Sequence, residues 1–131
     1  MEQASKTITL DNGVRIILDT LSHLKSASVG VWIDVGTRHE DETNNGIAHL
    51  LEHLVFKGAG GRNAKSLAED AEARGGYLNA STAYERTGFY AKSLSEEAIF
   101  SLDLCSDLVL KPHLNSNDFE LEKNVVLSEI N

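Results

Sequence analysis

Residues Gly46–Gly58 read GIAHLLEHLVFKG, an apolar run interrupted by two histidines and a glutamate within five positions. The apolar residues recur at helical spacing, which predicts a helix over Ile47–Phe56 with one face on a core. Each helical residue turns by about 100°, so Glu52 lies about 60° to one side of His49 and His53 about 40° to the other. All three groups therefore project from one face. Two imidazoles one turn apart can hold one metal ion, and a carboxylate beside them can take a proton from a water that the metal polarises. The order is His-x-x-Glu-His, the reverse of the commoner His-Glu-x-x-His. Shuffling this composition produces it in roughly one chain in fifty.

Upstream of that helix, Lys6–Leu10 and Val14–Leu18 alternate around the turn signal Asp11-Asn12-Gly13, which predicts a hairpin. Ala27–Val35, ASVGVWIDV, reads as a longer, better buried strand. Gly36–Asn45 follows as a loop in which Thr43, Asn44 or Asn45 can cap the helix. Downstream, KGAGGR ends the helix, Asn63 caps a second one over Ala64–Arg74, and Gly75-Gly76 stops it. YLNASTAY and TGFYAKSL form a hairpin across Glu85-Arg86. Helices over Glu96–Leu110, closed before Pro112, and about Asn117 to Ile130 complete the chain. Three strands, two helices, two strands and two helices describe an α+β domain, with a mixed, largely antiparallel sheet packed against helices.

With 131 residues, 41% of them hydrophobic and 24% charged, the chain suits one folded domain, 1–131. The net charge of -8 argues against nucleic acid, which rewards a basic face, and suits cationic ligands such as basic targeting peptides. No apolar run is long enough to span a bilayer, and Met1–Thr7 is too polar for a secretory signal. The single cysteine, Cys105, sits at core spacing in LDLCSDLVL, so it reads as a buried thiol in a reducing compartment. His23, His39 and His113 fall in loops and read as surface residues. The glycines of KGAGGR lack the Gly-Lys-Ser/Thr that a phosphate loop requires.

A catalytic zinc usually takes three protein ligands and leaves one position for water. The final helix offers Glu120, Glu122 and Glu129 in DFELEKNVVLSEIN. Glu122 and Glu129 are two turns apart, about 10 Å along the axis, so one of them should ligate and the other should lie further out. Helix geometry does not choose between them.

GIAHLLEHLVFKG, then GGYLNASTAYERTGFYA, then EKNVVLSEI, in that order and spacing, resemble the amino-terminal domain of the pitrilysin-like (M16) zinc metallopeptidases, most closely the mitochondrial-processing-peptidase type and its bacterial relatives. The resemblance implies that His49, His53 and Glu129 ligate one Zn2+ and that Glu52 is the general base. Glu122 becomes a second acid that supports catalysis without binding metal. Asn79 and Ala80 match the family's substrate-positioning asparagine–alanine pair, on an edge strand to which an extended peptide adds itself. The implied function is hydrolysis of peptides or processing of targeting sequences.

Family members are several times longer and enclose peptides between two halves. The resemblance thus implies a partial domain whose partner is a second M16-like half or subunit, or another copy of the chain. It also implies a bacterial cytoplasm, or the mitochondrial matrix in a eukaryote. The rival readings are a non-catalytic subunit of the same fold that holds peptides or a partner chain, and a scaffold in which the metal only cross-links two helices.

Overall fold

A computed structural model describes residues 5–130, so Met1–Ala4 of the polar opening stretch and Asn131 lie outside the described residues. Strands β1 (Ser5–Thr9) and β2 (Arg15–Asp19) pair antiparallel with Ile8 opposite Ile16. Their turn is closed by Gly13 at φ +88°, and Asn12 Oδ1 accepts from the Val14 amide at 3.1 Å. This hairpin forms a sheet of its own. The central sheet comprises β3 (Ser26–Ile33), β6 (Tyr77–Thr82) and β7 (Thr87–Leu94), in the order β3-β7-β6. Every strand pairing among the described residues is antiparallel.

Alternation along β7 turns Phe89, Ala91 and Ser93 to one face. Helix α3 (Ala98–Leu110) covers that face, with Ser101, Leu104, Cys105 and Leu108 on its buried stripe. A 3-10 turn at Ser95–Glu97 leads into it. Helix α2 (Ala64–Ala73) starts where sequence predicts, with Asn63 Oδ1 accepting from the Ser66 amide at 2.9 Å. It contributes Leu67 and Ala71 to a core completed by Val55, Ala59, Ala80, Phe89, Leu104 and Leu108. KGAGGR does more than end a helix. Two short strands, β4 (Gly58–Ala59) and β5 (Arg62–Asn63), pair across it and the following Asn63, and Ala59 bridges to Pro112.

Helix α1 (Ile47–Val55) rests on β6 and on α4 (Ser116–Ile130). The residues of α4 that are buried are Glu122 and Val126, one turn apart, so the stripe that meets α1 begins with a carboxylate. Glu129 continues the same stripe one turn on. That stripe brings acidic groups to the histidine face of α1. Among the described residues no helix is long and apolar enough to cross a membrane.

Cys105 is fully buried, and burial pushes its thiol from the usual 9.0 to about 11. The folded chain should therefore not react with a disulfide reagent at pH 8, and should react with one equivalent after denaturation. The sign for stability follows. The folded state holds this proton more tightly than the unfolded chain does, so the contribution is complete below pH 9.0 and is lost as pH rises towards about 11. An alkaline melting series would measure that loss.

Candidate metal centre

The start of α1 fixes the orientation of its histidines. Thr43, Asn44 and Asn45 do not cap it, contrary to the sequence expectation. Gly46 occupies the cap position at φ +91°, a left-handed conformation that glycine adopts without steric cost. The cap comes instead from Glu40, whose Oε2 accepts from the Gly46 amide and Oε1 from the Ala48 amide, each at 2.8 Å. Thr43 and the Asn44 side chain are engaged with Asp41 within the loop. A carboxylate at this end also complements the helix dipole.

One turn further on, His49 Nε2 and His53 Nε2 face each other at 3.2 Å, with their rings edge-on at 85°. Glu129 Oε2 lies 3.4 Å from His49 Nε2 and 3.7 Å from His53 Nε2. Among the described residues, these three form the one group of His, Cys, Asp or Glu side chains placed to share an ion. Ligand atoms around a tetrahedral zinc, with bonds of about 2.0–2.1 Å, stand about 3.3 Å apart. The donor spacing and chemistry fit that ion.

Glu122 does not reach this point from the same side. Its Oε2 lies 3.1 Å from His53 Nδ1, and its Oε1 lies 2.7 Å from Lys57 Nζ. Burial opposes ionisation of Glu122, but hydrogen bonds from Lys57 and His53 and their charges hold its carboxyl below the usual range. An ionised carboxylate accepts from His53 Nδ1–H, which leaves the Nε2 lone pair facing His49 and Glu129.

Glu52 is half-buried on the same face of α1 and accepts a short hydrogen bond from Thr82 Oγ1 on β6. β6 lies at the sheet edge, and no described strand pairs with its outer side. The Ala83 amide donates to the Arg86 carbonyl at 2.9 Å. With Ala80 opposite Phe89, antiparallel alternation then turns the backbone groups of Leu78, Ala80 and Thr82 to the open edge. The Ala80 amide is covered by the exposed Asn79, whose Oδ1 accepts from it at 2.8 Å. The Ala80 side chain is buried in the core.

The remaining histidines stand apart. His39 Nδ1 bonds the Gly36 backbone, and His113 Nε2 donates to the Gly60 carbonyl at 2.6 Å. Sequence reading missed Glu40, Lys57 and Thr82. Only Lys57 carries a local signal, as a cation four positions after His53.

The sequence profile of the family described as Insulinase (Peptidase family M16) matches residues 15–131. The chain belongs to peptidase family M16. An uncharacterised zinc protease of Bacillus subtilis is 43% identical over 125 residues, covering 95% of this chain and 31% of the relative. The mitochondrial-processing peptidase beta subunit of Lentinula edodes is 42% identical over 121 residues, covering 92% of this chain and 26% of that subunit. The crystal structure of a Helicobacter pylori protease superposes with a TM-score of 0.89 at 30% identity, covering 98% of this chain and 31% of that one. The α+β architecture is thus that of M16 proteases. The chain spans about a quarter to a third of the length of the curated relatives it matches.

Proposed function

We propose that this domain forms the zinc-binding, catalytic part of a metalloendopeptidase. The observation that carries the reading is the convergence of His49 Nε2, His53 Nε2 and Glu129 Oε2 within 3.2–3.7 Å, beside Glu52 and an open strand edge. Two imidazoles and one carboxylate are a catalytic zinc set, and relatives are named zinc proteases. Zinc held there supplies a Lewis acid that acidifies water and polarises the scissile carbonyl.

The other steps belong to the chain's own groups. The Glu52 carboxylate takes the proton of the attacking water, then delivers it to the amide nitrogen as the C–N bond breaks, so the carboxylate is restored each cycle. Thr82 donates to Glu52 Oε2, which leaves Oε1 for the proton. Glu122 holds His53 through Nδ1. An extended peptide pairs with the outward groups of Leu78, Ala80 and Thr82, displacing the Asn79 carboxamide, which then positions the peptide backbone. Pairing of this kind accepts many side chains, which suits peptides and targeting sequences. A second M16-like half or subunit, or a further copy, completes the enclosure. A bacterial cytoplasm, or the mitochondrial matrix in a eukaryote, is the compartment that goes with this reading.

Metal removal tests the proposal. In a preparation that cleaves a fluorogenic peptide, a chelator should abolish cleavage and one equivalent of zinc should restore it, while far-ultraviolet circular dichroism changes little. Unfolding on chelation would favour the cross-linking scaffold instead. Cleavage indifferent to chelation would reject the metallopeptidase reading.

A further inference from the structure

We propose that Lys57 is a positioning residue for the metal centre, acting on His53 through Glu122. The inference rests on the reading of His49, His53 and Glu129 as ligands and goes one residue beyond it. Lys57 follows the last turn of α1, and its Nζ stands 2.7 Å from Glu122 Oε1. The other oxygen of the same carboxylate stands 3.1 Å from His53 Nδ1. One planar group is thus held at one oxygen by His53 of α1 and at the other by Lys57, just past the end of that helix, while its own backbone belongs to α4.

The two partners of this ion pair are unequally exposed. The Lys57 side chain is 40% exposed and that of Glu122 only 8%. An exposed pair would be screened and interchangeable with water. Here removal of Lys57 would leave a nearly buried oxygen without its donor. The carboxylate would then be free to turn away from His53 to recover a partner. His53 would lose the acceptor that keeps its proton on Nδ1, and its Nε2 would no longer be reserved for the metal. Lys57 also ties α4 to the residues that follow α1.

The test uses this chain and zinc alone, with affinity measured by competition against a chromophoric chelator. Imidazole 1H–15N spectra of the zinc-free protein report the His53 tautomer. Lys57→Met should weaken zinc about tenfold or more, with circular dichroism retained and the Nδ1–H signature of His53 lost. Lys57→Arg should recover most of the affinity and the tautomer. Lys123→Met, which removes a neighbouring exposed charge on α4, should change neither. If Lys57→Met fails to fold, Lys57→Gln is judged by the same two readouts.

Wild-type affinity and an intact Nδ1–H in the Lys57 variants would overturn the inference, as would an equal loss in Lys123→Met. Should His49→Ala bind zinc as tightly as wild type, the ligand reading itself falls and the role of Lys57 with it. Zinc binding that depends on His49 but not on Lys57 removes the inference and leaves that reading standing.

Discussion

Glu52→Gln should keep zinc bound while peptide hydrolysis falls by about 10²–10⁴-fold. The carboxamide has nearly the shape of the carboxylate and can still accept the Thr82 hydroxyl, so the packing between α1 and β6 persists. His49, His53 and Glu129 are untouched, so zinc content should stay at one equivalent. What disappears is a base able to take the proton of the attacking water. Metal analysis and a fluorogenic peptide assay on the same preparation check both halves. Unchanged turnover would remove Glu52 from the mechanism, and lost zinc would give it a different role.

The second large effect is on affinity. His53→Ala should weaken zinc by about a thousandfold or more, because it deletes one of three donors. It also leaves the buried Glu122 with Lys57 as its remaining partner at this site. His49→Ala should weaken zinc strongly as well, without disturbing Glu122. His23→Ala, in the turn between β2 and β3 and outside the group placed to share an ion, should leave affinity unchanged. A competition titration across the three variants checks the ranking. Equal zinc binding in all of them would show that the ion sits elsewhere.

The pattern of these effects follows from what was legible in the chain. His49, Glu52 and His53 share a face because their spacing is local, and helix geometry fixes their directions without knowledge of the rest of the fold. Asn63 was legible as a cap for the same reason. Its side chain and the amide it serves are three residues apart. The hairpins were legible because alternation and turn residues sit together, although the second turns at Tyr84-Glu85, with the Ala83 amide on the Arg86 carbonyl, and not at Glu85-Arg86.

The approach of α4 was not legible from spacing. Glu122 and Glu129 lie on one stripe, and only the packing of α4 on α1 decides which meets Nε2 and which meets Nδ1. Family resemblance supplied that choice. The cap of α1 misled local reasoning because Gly46 turns left-handed, which directs the first amides at Glu40 rather than at the nearer Thr43, Asn44 or Asn45. Thr82 was invisible because strand β6 and helix α1 are 30 positions apart where they touch. Local rules fix which groups share a face; tertiary packing fixes what that face meets.

X-ray absorption at the zinc edge, on the chain loaded with one equivalent, tests the central claim most directly. The account predicts two imidazole nitrogens at about 2.0–2.1 Å and a carboxylate oxygen at about 2.0–2.2 Å, with half the imidazole scattering in His49→Ala. A zinc shell without imidazole, or a wild-type chain that retains no zinc at one equivalent, would contradict it.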